Sequence, residues 1–332
     1  MEKNGLDVPV VLFFFLRAET TLKIIGRIRE VQPKKLYLFS DGGRNEKERE
    51  LVLNARRKVE EAIDWECEII KRYEDVNRGV HYQIGLGAKW VFSREENAIF
   101  LEDDNLPEIT FFKFASEMLE KYKDDERVLW VCGTNYLENF TPMDNSSYVF
   151  TKHLMPCGWA SWGRKFNKFY DDEIKLLNDP IIIKKTKNEY TNKKLYKQQL
   201  RSLRFEKYRV ENGERAISWD YHMAFSIRAN GLYGICPCNN QIENIGVDKF
   251  STHGGTSFNK VMTRRFCGIK SYPLEFPLKH PSVLLPDANF EKRVAKIILY
   301  PFNLRLKSFI IRVIKRMLGI HEFQSIRKRR NK

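Results

Sequence analysis

The N-terminal region has no apolar run long enough to cross a membrane as a helix. Its apolar run extends from Val8 to Leu16, whereas a membrane-spanning helix needs about 20 apolar residues. The same region lacks the small-residue cleavage site of a secretory signal peptide. We therefore interpret this run as the first strand of a core.

Cysteine is scarce, with six residues in a chain of 332. The cysteines are scattered at positions 67, 132, 157, 236, 238 and 267. Only Cys236 and Cys238 are close together, and a Cys-x-Cys pair without a second pair is poor evidence for zinc. We expect structural thiols in a reducing compartment, in preference to a metal site or disulfides.

Acidic residues are outnumbered, and the excess of positive charge is uneven. The chain has 58 Lys and Arg against 43 Asp and Glu, a formal net charge of +15. Residues 291–332 alone carry a net +11, which leaves about +4 on the first 290 residues. Because the body is only mildly basic and has no recognition motif, nucleic acid is not an expected partner.

The chain contains enough apolar residues for a globular core, because 42% of its residues are hydrophobic and 13% are aromatic. In the first 135 residues, strand-like segments alternate with segments of helical spacing. The strand-like segments are VPVVLFFFL, KKLYLFS, ECEIIKRY, NAIFLE and VLWVCGT. This alternation predicts an α/β fold with a mostly parallel central sheet and helices on both faces.

The pattern changes after about residue 139. The segment HLMPCGWASWGRKFNKFYDDE is aromatic and loop-like, and a lysine-rich stretch from Ile181 to Arg209 has helical character. We expect this half to close over the first as a second layer. The predicted parts are therefore 1–138, 139–286 and a basic tail at 287–332.

Polar residues follow the ends of several predicted strands. They are Arg17, Asp41, Asp75, the run Glu102-Asp103-Asp104, and Asn135. Ligands of open α/β sheets bind beyond the carboxyl ends of the strands, so these side chains should converge on one edge of the sheet.

The acidic run is the most specific of these features. In AIFLEDDNLPE, largely apolar residues lead directly into Glu102, Asp103 and Asp104. Adjacent carboxylates repel one another, and divalent ions such as Mn²⁺ or Mg²⁺ take oxygen ligands and are often shared with substrate phosphates. We expect a metal site that binds a diphosphate; a solvated acidic turn is the alternative.

The ordered set of motifs resembles GT-A-fold glycosyltransferases, in particular the N-acetylglucosaminyltransferase I group and bacterial family-2-like relatives. The matching segments are FFFLRAET, LFSDGG, HYQIGLGAKWVF, FLEDDNLPEITFFKFASEML, CGWASW, WDYHM and a later NIG with STHGG. The resemblance covers roughly residues 8–257. It implies a Rossmann-like nucleotide-diphospho-sugar transferase fold, with donor binding in 1–138 and acceptor binding and the catalytic base in 139–286.

The resemblance also implies roles for residues of the donor site. Asp104 would bind Mn²⁺ or Mg²⁺, with Glu102 and Asp103 near the ribose and the sugar. Arg17 would lie beside the nucleotide, and Asp41 would contact the uracil of a UDP-sugar.

Further residues are assigned by the same resemblance. His81 would belong to the donor site, and Asp220 would act as the general base, although an Asp in this position also commonly caps a helix. Trp159, Trp219 and His253 are candidate contacts for the acceptor or the diphosphate. Aromatic residues in loops often pin those loops to the core instead.

A metal-assisted leaving group on one side of the sugar and one base on the other predict inversion of the anomeric centre. The resemblance implies a cytoplasmic bacterial enzyme that transfers a sugar to a glycan or lipid-linked acceptor in surface polysaccharide synthesis. A sugar nucleotidyltransferase is one alternative, but its glycine-rich signature should follow the first strand, where this chain has RAETTLK. A non-catalytic, membrane-associated scaffold with a degenerate transferase fold is the other.

The basic tail contains an amphipathic pattern. Apolar residues recur at spacings of three and four at Phe302, Leu306, Phe309, Val313, Met317 and Ile320, bordered by Arg305, Arg312 and Arg316. Such a helix suits the surface of an anionic membrane, where each basic residue adds about 1 kcal/mol. We expect peripheral attachment to the inner face of the cell membrane; a helix packed on the catalytic domain is the alternative.

Overall fold

The computed structural model describes residues 5–248 and 257–324. The strands in these ranges are β1 (Val10–Phe14), β2 (Lys35–Ser40), β3 (Glu68–Tyr73), β4 (Asn97–Glu102), β5 (Asn105–Pro107), β6 (Val128–Cys132), β7 (Tyr148–Thr151), β8 (Trp159–Trp162), β9 (Tyr233–Pro237) and β10 (Ile242–Asn244). The α-helices are α1 (Ala18–Val31), α2 (Glu46–Glu61), α3 (Gly87–Val91), α4 (Ile109–Lys121), α5 (Gly163–Phe169), α6 (Pro180–Thr186), α7 (Lys193–Glu211), α8 (Asp220–Ala229), α9 (Val261–Phe266), α10 (Ala288–Ile298) and α11 (Phe302–Met317). A π-helical turn, His81–Leu86, leads into α3, and short 3-10 turns occupy Lys175–Asn178 and Lys187–Glu189.

Eight strands form one central sheet in the order β3-β2-β1-β4-β8-β6-β9-β7, and β5 pairs with β10. The prediction of a mostly parallel sheet is wrong, because four neighbouring pairs are parallel and three are antiparallel within the described residues. The main cause is β8, which lies between β4 and β6 and runs antiparallel to both. Its four residues come from the segment that was predicted to be a loop. All four are buried, so the strand lacks the alternation that would have revealed it.

Helices cover both faces of the sheet, and each strand contributes to two cores. In β1, Val10 and Leu12 pack with α1, α2 and α4, whereas Val11 and Phe13 pack with α3, α5, α8 and α10. A strand covered on both faces reads as a continuous apolar run, which explains the sequence VVLFF.

A third layer lies outside α8. Leu195, Leu200 and Leu203 of α7 pack with Phe225 of α8. The lysine-rich stretch is helical, as predicted, and its apolar side forms this layer.

The predicted tail consists of two different helices. Phe290 and Val294 of α10 are fully buried in the core, whereas α11 has no buried residue. Within the described ranges, none of the helices has the length and apolar character needed to span a membrane.

A buried carboxylate fastens α10 to the sheet. Glu291 accepts hydrogen bonds from the Thr151 hydroxyl and from the Lys152 amide at 2.8 Å. Its second oxygen lies 3.5 Å from His153 Nε2 and 3.9 Å from Arg228 Nη2. Burial alone would raise the pKa of Glu291, but these neighbours outweigh it and the pKa is lowered.

Replacement of Glu291 by alanine is expected to lower the free energy of unfolding by about 3–5 kcal/mol, because it leaves a buried Arg228 without its carboxylate. Glu291→Gln should lose less, since the amide still accepts one hydrogen bond. The control is Lys292→Ala, at the exposed neighbouring position, where a change within about 0.5 kcal/mol is expected. Urea unfolding of the three variants measures these differences, and equal losses for Glu291→Ala and Lys292→Ala would contradict the assignment.

Candidate functional site

The candidate site lies where the order of the strands reverses. From β1 the chain continues to β2 and β3 on one side of it and then returns to β4 on the other. Both β2 and β4 run parallel to β1, so the carboxyl ends of β1 and β4 lie side by side. Such a switch point leaves a crevice that binds ligands in open α/β sheets.

The acidic run forms a tight turn at this crevice. Only Asp103 and Asp104 separate β4 from β5, and the buried side chain of Asn105 organises the turn. Asn105 Oδ1 accepts from the Glu102 amide at 3.3 Å and from the Gly158 amide at 2.8 Å. Its Nδ2 donates to Asp104 Oδ1 at 2.7 Å. The three carboxylates are therefore held close to one another.

Arg17 joins the two sides of the crevice. Its Nη1 lies 3.2 Å from Asp103 Oδ1 and 3.0 Å from Asp104 Oδ2. Its Nε lies 3.3 Å from Asp248 Oδ2, so a third segment of the chain reaches the same guanidinium. The Phe15 amide donates to Asp103 Oδ2 at 3.1 Å. Sequence reasoning placed Arg17 correctly beside the acidic turn but missed Asp248.

Close approach by a glycine allows this third segment to reach the turn. The Ile245 amide donates to the Asp104 carbonyl at 2.9 Å. A side chain at Gly246 would overlap the Asp104 carboxylate. The motif NIG therefore has a steric reason to end in glycine.

The site carries more negative than positive charge. Burial and the neighbouring carboxylates of Asp104 and Asp103 raise the pKa of Glu102 well above its ordinary value. Burial and Asp104 likewise raise the pKa of Asp103 to about 7. One guanidinium does not neutralise this group, and a cation would be stabilised here.

The donor set suits an ion that the protein shares with a ligand. In residues 5–248 and 257–324, no three His, Cys, Asp or Glu side chains converge as a complete metal cage. Mg²⁺ in particular is usually held by one or two carboxylates together with substrate phosphates. Asp104, with its neighbours, fits that limited role in charge and in ligand type.

Asp220 is the first residue of α8. The Ser218 hydroxyl donates to Asp220 Oδ1, and the same hydroxyl accepts from the Tyr221 amide at 3.2 Å. A carboxylate in the first turn of a helix is stabilised by the helix dipole. Asp220 is near enough for its charge to contribute to the raised pKa of Glu102. The structure thus brings the proposed base and the acidic turn together.

Two histidine rings are buried next to each other. The rings of His81 and His222 are 5.0 Å apart, and His222 is only 1% exposed. Backbone groups of Asp171 and Asp172 interact with the ring of His222, and the backbone of Asp172 also interacts with His81. Burial, together with His81, lowers the pKa of His222 to about 3, and burial also lowers the pKa of His81. Both rings are therefore neutral near pH 7.

Sequence reasoning identified His81 as a candidate but missed the neighbouring ring of His222. His222 stands two residues after Asp220 in WDYHM, which was the available signal. The helix predicted from His81 begins as a π-helical turn, a form that often occurs at functional sites.

Asp41 lies at the end of β2 but already has many protein partners. Its carboxylate accepts five hydrogen bonds, from the amides of Gly42 (2.9 Å), Arg78 (2.7 Å) and Gly79 (2.8 Å) and from the side chains of Asn77 (2.9 Å) and Gln83 (3.1 Å). A carboxylate has about four lone-pair positions. Asp41 thus organises the loop from Asn77 to Gln83, and its contact with a nucleobase stays a prediction.

The aromatic candidates belong to the core. Trp159 is 1% exposed and lies between the rings of Phe100 and Trp130, at centroid distances of 3.9 and 4.1 Å. Trp219 is 4% exposed and packs on both tryptophans. The protein therefore covers the rings that were candidates for contact with a ligand. His253 lies outside the described residues.

Replacing Asp41 with asparagine should loosen the loop that it organises. The amide group would turn a donor toward donors and remove hydrogen bonds worth about 1–3 kcal/mol. We expect amide exchange at Arg78 and Gly79 to accelerate by roughly tenfold or more. Hydrogen exchange measured by NMR tests this, with Asp75→Asn, an exposed carboxylate of the same loop, as the control. Unchanged exchange in Asp41→Asn would refute the organising role.

No protein-family model matches the chain, and no curated protein is significantly similar to it. Among solved structures, it is similar to 4-diphosphocytidyl-2C-methyl-D-erythritol synthase from Anaerococcus prevotii, with 11% identity, 52% of this chain and 78% of that chain covered, and a TM-score of 0.33. It is also similar to the apo form of mouse xyloside xylosyltransferase 1, with 10% identity, coverage of 68% and 83%, and a TM-score of 0.35.

Proposed function

We propose that the protein is a metal-dependent, inverting glycosyltransferase that moves a sugar from a nucleotide-diphosphate donor, a UDP-sugar, to a glycan or lipid-linked acceptor. One observation carries this proposal: the acidic turn and Arg17 occupy the switch point, and the charge of Asp220 at the start of α8 reaches Glu102. The ordered motifs support the same assignment. Bacterial surface polysaccharide synthesis is the proposed setting.

The acidic side of the crevice would hold the donor. Asp104 would bind Mn²⁺ or Mg²⁺, and Glu102 and Asp103 would contact the ribose and the sugar. A divalent ion bound there would neutralise the departing diphosphate as a Lewis acid. Arg17 keeps the carboxylates in place through its contacts with Asp103 and Asp104. His81 would border the same site.

Asp220 would activate the acceptor. Its carboxylate takes the proton of the acceptor hydroxyl while that oxygen forms a bond to the anomeric carbon of the sugar. The bond between the anomeric carbon and the diphosphate oxygen breaks, and its electron pair leaves with the nucleoside diphosphate. The acceptor enters opposite the leaving group, so the configuration inverts.

The C-terminal helix supports a location at the membrane. Phe302 is 70%, Phe309 55% and Met317 81% exposed. An apolar helix side bordered by basic residues suits an anionic bilayer surface. Peripheral attachment to the inner face of the cell membrane is part of the proposal.

Nucleotide binding is expected to depend on a divalent ion and on Asp104. Calorimetric titration with UDP, GDP and CDP, with and without Mn²⁺, should give Mn²⁺-dependent binding of UDP. Asp104→Ala should weaken this binding by about tenfold or more, equivalent to roughly 1.4 kcal/mol. Asp124→Ala, which removes an exposed carboxylate elsewhere, is the control. Binding that needs neither Mn²⁺ nor Asp104 would contradict the metal assignment.

Asp220→Asn is expected to lower the rate of transfer by about 10²–10⁴-fold and to leave Mn²⁺–UDP binding unchanged, because general-base catalysis is lost while the donor site stays intact. Transfer is followed as release of UDP in the presence of acceptor, with Glu211→Gln, an exposed carboxylate on α7, as the control. The anomeric coupling of the product by NMR reports inversion. Release of inorganic diphosphate from a nucleoside triphosphate would favour a nucleotidyltransferase, and full cellular function in Asp220→Asn would favour a scaffold.

A further inference from the structure

The amphipathic helix α11 packs with its polar side toward the protein. Its partly covered residues are Arg305, Ser308, Arg312 and Lys315. Every other residue of the helix is exposed. These four recur at spacings of three and four and so share one side of the helix. A surface helix normally buries its apolar side, so this orientation is the reverse of the usual one.

The polar side of α11 forms one wall of a groove of about 660 Å³, with α7 as the other wall. Six cationic side chains line it: Lys194, Lys197, Arg201, Arg305, Arg312 and Lys315. Glu322 lies in the same groove, and Arg201 Nε contacts it at 3.4 Å. In the part of the chain that the structure describes, no carboxylate forms an ion pair with the other five cations. The groove therefore has a large positive excess.

Arg305 lacks a complete set of partners in the protein. Its Nε is enclosed by protein atoms and has no hydrogen-bond partner among the described residues. A buried guanidinium N–H without an acceptor is costly, and an anion in the groove, which Arg305 lines, would compensate the charge of this guanidinium.

Specific contacts hold the two walls in place. Arg201 Nη1 donates to Ser308 Oγ at 2.8 Å. The amide of Tyr300 donates to Gln198 Oε1 at 2.8 Å. Phe323 packs against Phe205 of α7, with ring centroids 5.5 Å apart. The groove is thus a formed feature of the surface.

The groove also reaches the start of α8. Ser202 and Tyr300 line the groove, and both interact with the hydroxyl of Tyr221, the residue that follows Asp220. A ligand held in the groove would therefore lie near the helix that carries the proposed catalytic base.

We propose that this groove binds the phosphate or diphosphate headgroup of a membrane lipid, and that this lipid carries the acceptor. The proposal rests on the glycosyltransferase function and names its acceptor class. The six cations that line the groove complement a multiply charged phosphate headgroup. The exposed apolar side of the same helix, including Phe309 and Met317, favours a lipid over a free phosphate, because it places the groove at the edge of a bilayer.

Two double variants with equal charge change test the groove. Arg305→Gln with Arg312→Gln removes two cations that line it, and Lys307→Gln with Arg316→Gln removes two exposed cations outside it. The full chain is sedimented with phosphatidylcholine vesicles that contain either a polyprenyl diphosphate or phosphatidylserine. Wild type should prefer the diphosphate vesicles, and the groove variant should lose roughly tenfold of that affinity while the control keeps the preference. Both variants should unfold within about 0.5 kcal/mol of wild type.

Several outcomes would overturn the proposal. Equal losses in both variants would show only a general attraction to anionic surfaces. Competition by soluble inorganic diphosphate at concentrations equal to those needed with soluble geranyl diphosphate would identify a free phosphate as the ligand, and competition by an oligonucleotide would identify a nucleic acid. One further outcome would instead support the lipid assignment. In the double variant Phe309→Ser with Met317→Ser, binding to all vesicles would be lost while the groove still binds soluble geranyl diphosphate.

Failure of this proposal can be told apart from failure of the glycosyltransferase function. Mn²⁺–UDP binding is titrated in wild type and in the groove variant. If both bind equally and the vesicle preference is absent, the acceptor proposal fails and the transferase function stands. If wild type does not bind a nucleotide, the transferase function fails whatever the vesicles show.

Discussion

The contact of Arg17 with carboxylates from two other segments is the interaction on which the candidate site depends. Asp103 and Asp104 come from the turn after β4, Asp248 comes from the segment after β10, and Arg17 follows β1. Without this guanidinium, repulsion would drive the acidic turn apart. With it, the carboxylates stay together, yet burial and the neighbouring carboxylates still raise the pKa values of Glu102 and Asp103. A site in this condition favours the arrival of a further cation.

The same residue types serve different purposes elsewhere in the molecule because their surroundings differ. Asp41 has five hydrogen-bond donors, and Glu291 has two donors and two cationic or ring neighbours. Those carboxylates are satisfied and hold a loop and a helix in place. The acidic turn, by contrast, has one guanidinium for several carboxylates. Incomplete compensation therefore separates the candidate site from the structural polar groups.

The sequence predicted those parts of the fold that depend on local pattern. Strands β1 to β4 and the residues at their ends follow from apolar runs and from the rule that ligands bind beyond strand ends. The antiparallel strand β8 was missed because four residues buried on both faces have no period. Asp248 and His222 were missed because their partners, Arg17 and His81, are distant in the chain. Periodicity also predicted an amphipathic α11 but not which of its sides would face the protein.

The two uncompensated regions have opposite charge, and each interacts with a residue at the start of α8. The charge of Asp220 reaches Glu102 of the acidic turn, and Ser202 and Tyr300 of the groove interact with Tyr221. A bare diphosphate is repelled by the first region and attracted by the second. A diphosphate that carries a divalent ion can bind at the acidic turn, and its attraction to the basic groove is weaker because part of its charge is neutralised. In the proposed reaction, the metal would therefore sort the two phosphorylated substrates, directing the nucleotide sugar to the acidic turn and leaving the groove to the acceptor lipid.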